Sequence, residues 1–218
     1  MAHGGDDTVV LLDTFDFSQS IFDLEEPAFE TSLDNNFYST CQIINQKLSN
    51  YENLVQFAHV NARSVPKHLH EIHRVLDGTG FAAMGTCETP KAAFNIPGYN
   101  FFHVDRTMSS RGGVGAYVSS EYPAKVIKLP VELVQPEMIF IEITVGVVKI
   151  AMGVIYKSPL IPYTVFAAIH ENIAYISAKY EHMVILGDLN IDHYKMDSAQ
   201  LKFLNTYLVE PFALKQLG

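Results

Sequence analysis

Apolar and polar positions divide the chain near residue 53. Upstream, Val9, Leu11, Phe15, Phe17, Ile21 and Phe22 stand among acids with no sustained period, so residues 1–52 are expected to form an acidic, mostly disordered leader, with at most a short helix over 41–52. Downstream the periods sharpen. Leu54 to Val60 reads as a strand; Ser64 and Pro66 then open a helix in which Leu69, Ile72 and Leu76 fall at helical spacing, and Gly78 and Gly80 stop it. A second strand, Phe81 to Thr86, ends at Cys87-Glu88, which completes a strand, helix, strand unit. Asn95 to Tyr99 is a turn, Asn100 to Val104 a short strand ending at Asp105-Arg106, and Thr107 to Arg111 a polar loop into a glycine-bearing strand, Gly112 to Val118.

The second half repeats the theme. Met138 to Thr144 and Lys149 to Tyr156 are strands joined by a hairpin at Val145-Gly146-Val147. Pro162 to Lys179 is an amphipathic helix with Phe166, Ile169, Ile173, Ile176 and Tyr180 on one face. Met183 to Leu186 is a buried strand running into Gly187-Asp188-Leu189-Asn190, and Asp197 or Ser198 caps a last helix carrying Leu201, Leu204 and Leu208.

Composition narrows this picture without redirecting it. An apolar share of 48% and a charged share of 18% over 218 residues suit one globular domain with a tail. The longest apolar run, Ile139 to Tyr156, is interrupted by Glu142 and Lys149 and falls short of the roughly 18 residues of a membrane span. No basic-then-apolar leader marks secretion, and Cys41 and Cys87 form neither a disulfide framework nor a metal-ligand spacing; an intracellular protein away from membranes is expected. The net charge of -9 is carried by the leader, where nine acids in residues 1–50 face Lys47 alone. The leader should repel nucleic acid, while the near-neutral remainder is indifferent to it.

Polar residues at strand ends are the candidate chemistry. In an extended segment residues i and i+2 share a face, so Asp188 and Asn190 can reach one ligand, although Asp and Asn serve equally well as turn residues. Asn61, Glu88 and Tyr156 also stand just past the ends of their strands, and in such units the strand ends converge on one rim. The glycines at 112, 113 and 115 precede no helix and no Lys-Ser or Lys-Thr pair, which argues against a nucleotide loop. His170 and His182 lack a ligand partner at i+4 and are expected to face solvent rather than a metal.

The ordered set His59-Val60-Asn61-Ala62-Arg63-Ser64, Glu88-Thr89, Gly98-Tyr99 with Asp105-Arg106, Arg111-Gly112-Gly113-Val114-Gly115, Gly153-Val154-Ile155-Tyr156-Lys157-Ser158-Pro159 and Leu186-Gly187-Asp188-Leu189-Asn190 resembles the endonuclease/exonuclease/phosphatase superfamily. Over residues 54–215 it is similar, more narrowly, to the apurinic-type endonuclease domain that precedes reverse transcriptase in non-LTR retrotransposons. The resemblance implies a four-layered α/β sandwich, two mixed β-sheets flanked by helices, occupying residues 53–218. It also implies magnesium-dependent hydrolysis of a phosphodiester, with manganese as a substitute, and a DNA duplex as the partner, acted on in the nucleus if the target is genomic.

Carried over by position, Glu88 resembles the principal metal ligand, helped by Asn61; Asp188 resembles the residue that activates water; Asn190 and Tyr156 resemble groups that hold phosphate oxygens; and Arg63, with Asn61 and Asn190, resembles a substrate contact. The family pattern continues to a Ser-Asp pair and a final Asp-His pair that have no counterpart before Gly218, and Pro90 replaces a usual tryptophan. The expectation is therefore a domain truncated at its carboxyl end, with its last strands missing and its activity impaired or lost. Two alternatives stay open: a catalytically silent DNA- or protein-binding remnant, and a phosphatase or other phosphodiesterase of the same superfamily. Oligomeric state is not legible.

Overall fold

The computed structural model describes residues 55–61, 65–87, 95–105, 113–131, 137–191 and 199–212. The expected leader over 1–52 and its short helix, the Ser64 cap and the Thr107 to Arg111 loop lie outside them.

Two four-stranded mixed sheets form the body. In the first, β1 (Phe57–Asn61) pairs in parallel with β2 (Ala83–Cys87), and β4 (Gly113–Ser119) joins β2 to the edge strand β3 (Tyr99–Asp105) by antiparallel pairing. Parallel neighbours need a crossover, which is supplied by α1 (Val65–Thr79). In the second sheet β5 (Ala124–Val126), β6 (Glu137–Val145) and β7 (Val148–Tyr156) are antiparallel, and β8 (His182–Asp188) lies parallel to β7. The crossover here is a 3-10 turn (Tyr163–Val165) followed by α2 (Phe166–Ser177).

Period-two alternation sends one face of each sheet inward. Phe57, Ala83, Val114, Ala116 and Val118 of the first sheet meet Ile139, Ile141, Ile143, Ile150, Met152, Val154, Val184 and Leu186 of the second. The outer faces are covered in turn: Ile72, Val75 and Leu76 of α1 pack on Ala58, Val60, Met84 and Tyr117, while Phe166, Ile169, Ile173 and Ile176 of α2 pack on Phe140, Ala151 and Ile155. Leu204 of α3 (Ala199–Leu204) and Leu208, in the π-helical turn that continues it, join the same outer layer. The order is helix, sheet, sheet, helix, as the four-layered expectation required. Each fully buried Val, Leu, Ile, Phe or Met side chain contributes about 1.5–3 kcal/mol, so the inter-sheet layer is the largest single contributor of the three apolar layers.

Several local expectations needed revision. Pro162 to Lys179 is not one helix, because the first turn after Pro162 is 3-10 and the α-helix stops at Ser177. Tyr180 lies beyond it, where its hydroxyl donates to Glu142 Oε2 at 2.6 Å. Strand β5 has three residues, too few to leave an alternating signature. The hairpin is tighter than three residues: Val145 pairs with Val148, and Gly146 takes φ +59°, the positive value that matches strand twist in two-residue loops. His170 does not face solvent; it is half-buried, with Nδ1 2.7 Å from Tyr207 O and its ring 5.0 Å from that of Phe212.

His59 lies in the same strand as Phe57 and two residues before Asn61, 4% exposed, with Nε2 3.2 Å from Cys87 Sγ. Burial pushes its pKa down from 6.5 to about 4. Between those values the unfolded chain binds the extra proton and the folded chain does not, so stability falls as pH drops from 7 to 4. The contribution is about 3 kcal/mol. Urea denaturation of the wild type and His59→Gln should show their stability difference moving by about that much against the wild type over this range; a difference independent of pH would contradict the assignment.

Candidate active site

The carboxyl ends of β1, β2, β7 and β8 lie on one rim, since β1 and β2 run in parallel register to Asn61 opposite Cys87 and β7 and β8 to Tyr156 opposite Asp188. Asp188 follows Val184 and Leu186 on the inward face of β8, and Tyr156 follows Met152 and Val154 on that of β7. Asn61 stands at the end of β1 across the gap. Its Nδ2 donates to Asp188 Oδ2 at 3.0 Å, joining residues 127 apart in sequence and one sheet to the other. A carboxylate only accepts, so the amide must present its nitrogen there and turn Oδ1 away.

The stretch after β8 is not extended. Gly187 has φ +139°, and a Cβ built on it would lie 1.9 Å from Ile155 O, so only glycine lets β8 run this close to β7. Asn190 takes φ +51°, its backbone N–H donates to Asp188 Oδ1 at 2.8 Å, and its Nδ2 donates to Lys157 O at 2.9 Å. Lys157 N–H in turn donates to Asp188 O at 2.9 Å. Asp188 and Asn190 are therefore neighbours through a side-chain-capped turn rather than through i, i+2 alternation on one strand. The turn role and the site role coincide: the bonds that shape the loop also fix both carboxylate oxygens.

Of the residues singled out from sequence, Asn61, Asp188 and Asn190 are brought into one hydrogen-bonded group. Tyr156, 5% exposed, is the register partner of Asp188. Glu88, which follows the last residue of β2, and Arg63 lie outside the described residues. Two further residues escaped sequence reasoning. Glu137 opens β6 opposite Tyr156 and is buried at 3% exposure; it shares the odd-numbered parity of Ile139, Ile141 and Ile143, and that parity could have revealed it. Lys157 is 1% exposed and donates through Nζ to Ser158 O at 3.2 Å. Burial pushes its ammonium pKa down, opposed by the charge of Asp188.

Among the described residues no group of three or more His, Cys, Asp or Glu side chains could hold a metal. Magnesium asks for less, because it keeps several waters and takes one or two carboxylates with neutral oxygens. The oxygen donors of Asn61, Asp188 and Asn190 suit such a hard cation and offer nothing to a soft one.

Solved structures share this architecture. A mannosyl-6-phosphatase of Bacteroides thetaiotaomicron VPI-5482 is 11% identical over 69% of this chain and 69% of its own, with a TM-score of 0.53. The 3′-5′ exonuclease NExo of Neisseria meningitidis is 19% identical over 70% of each chain, also at 0.53. The endonuclease domain of TRAS1, a telomere-specific non-LTR retrotransposon, is 14% identical over 69% of this chain and 68% of its own, at 0.47. The chain spans 61% of the length of a humanized D. rerio TDP2. No protein-family model and no curated protein matches the sequence. The likeness to the phosphatase and to NExo is one of fold, the α/β sandwich that the resemblance to the endonuclease/exonuclease/phosphatase superfamily led one to expect.

Gly187→Ala tests how the site is presented. The added methyl meets the Ile155 carbonyl in a conformation reserved for glycine, and a loss of about 3 kcal/mol or more is expected in chemical denaturation. A variant as stable as the parent would show that β8 does not need this close approach.

Proposed function

We propose that residues 53–218, following an acidic leader over 1–52, form a metal-dependent phosphodiesterase domain that nicks DNA in the manner of a non-LTR retrotransposon endonuclease. The observation that carries this reading is the Asn61 to Asp188 hydrogen bond between the two sheets, which gathers polar residues from distant motifs at one rim. The six ordered motifs favour the retrotransposon branch, while the shared fold supports phosphoester hydrolysis more broadly and does not by itself choose the substrate.

In this mechanism Asp188 accepts the proton of the attacking water. Both its oxygens are already held, by Asn61 Nδ2 and by the Asn190 N–H, so little reorganisation is needed as the water oxygen bonds to phosphorus. The Tyr156 hydroxyl and the amides of Asn61 and Asn190 are donors for the non-bridging oxygens. The P–O3′ bond breaks, leaving a 5′ phosphate and a 3′ hydroxyl. Glu88 with Asn61 would hold Mg2+, or Mn2+ in its place, and a divalent ion bound there offsets the charge that develops on the phosphate. Arg63, two residues beyond Asn61 in the sequence, would supply a cation for the substrate.

Incubating supercoiled plasmid with the purified chain and magnesium is the direct test. Relaxed product is expected, abolished by chelation and reduced about 100-fold or more in Asp188→Ala and Glu88→Ala. Equal nicking by wild type and both variants sinks the residue assignment. Abasic duplex and inositol phosphates belong in the same panel: phosphate release without plasmid nicking would replace the DNA reading by a phosphatase. Binding without any hydrolysis would leave the silent remnant.

A further inference from the structure

Lys157 is the only buried Lys or Arg among the described residues. An ammonium withdrawn from water costs several kcal/mol unless partners offset it. Its one hydrogen bond among the described residues is to the carbonyl of the next residue, Ser158, at 3.2 Å. An ordinary structural lysine would extend its head to solvent along an apolar stem; this one is enclosed.

Its surroundings give the reason. The backbone of Lys157 holds both ends of the Asp188 turn, donating from N–H to Asp188 O at 2.9 Å and accepting Asn190 Nδ2 at 2.9 Å. Asp188 has no salt bridge within 4 Å among the described residues, and its two oxygens are held by neutral donors. The Asp188 charge favours the Lys157 ammonium and offsets part of the cost of its burial.

We propose that Lys157 is a positioning residue: a buried counter-charge that keeps the Asp188 carboxylate and the Asp188 to Asn190 turn set for an anionic phosphoester. The proposal rests on the phosphodiesterase reading for the ligand, but the charge coupling it asserts is independent of any reaction. It extends the site backwards by one layer, from groups that touch substrate to the group that holds them.

A double-mutant cycle of Lys157→Met and Asp188→Asn, followed by urea denaturation at pH 7, tests the coupling. In the Asp188→Asn background, Lys157→Met should raise the urea midpoint, because it removes a buried charge without its counter-charge; in the wild-type background the midpoint should stay level or fall. Additive shifts in the two backgrounds overturn the proposal. Should Lys157→Met not fold, the same cycle with Lys157→Gln decides it. Magnesium-dependent plasmid nicking supplies the second readout: kcat falling about 10- to 100-fold with little change in KM, and partial rescue by Lys157→Arg, is the positioning outcome. Unchanged kcat in a folded Lys157→Met overturns the positioning role. If the wild type nicks no faster than Asp188→Asn, the nuclease reading fails, while the cycle still decides whether the charges are coupled.

Discussion

A single hydrogen bond from Asn61 Nδ2 to Asp188 Oδ2, 3.0 Å long, closes the rim where the two sheets meet. Such a bond contributes about 1.5–3 kcal/mol when one partner is charged, too little to hold the sheets together. The sheets are held by the apolar layer between them, and this layer makes the bond possible by fixing the separation and register of β1 and β8. The dependence then runs outward. Asp188, fixed at one oxygen by Asn61, is fixed at the other by the Asn190 N–H, and Asn190 is tied to Lys157 O, so a contact between sheets sets the shape of the loop.

The local backbone is built around that constraint. Gly187 lets β8 press against Ile155, and Asn190 takes a left-handed conformation that Asn tolerates better than most residues. Beneath the rim, the interior is not wholly apolar. His59, two residues before Asn61, lies against Cys87, the register partner of Asn61, and Glu137 and Tyr156 lie side by side at the neighbouring strand ends. On the outer face of the second sheet, by contrast, Glu142 is matched by Tyr180, Lys125 and Lys149, whose hydrogen bonds hold its carboxyl below the usual range. That cluster is an ordinary ion-pair network. The rim differs from it in that the Asp188 carboxylate is held by two amide donors, which leave room for a cation.

Much of this was legible in sequence, for physical reasons. The strands β1, β2, β7 and β8 announce themselves because buried parallel strands are apolar runs of strand length, and each ends in a polar residue that breaks the run. The convergence of Asn61, Tyr156 and Asp188 followed from those ends and from parallel pairing. The loop geometry did not follow. Asp188 to Asn190 reads equally well as strand or turn, and only tertiary bonds to Asn61 and Lys157 decide it. Lys157 and Glu137 were hidden by their type, since charged residues are seldom buried. His170 was misjudged because its covering partners, Tyr207 and Phe212, come from a distant helical segment.

If a divalent cation and a phosphoester meet at this rim, the cation can be detected there without relying on turnover. Titrating Mn2+ into isotopically labelled protein and following side-chain amide signals reads proximity directly. The Asn61 and Asn190 amides should broaden first, magnesium should compete the effect away, and Asn172 of α2, whose amide is bonded to Val131 O, should stay sharp. Broadening that begins elsewhere on the acidic chain, with the Asn61 and Asn190 signals untouched, would contradict a cation site at this rim.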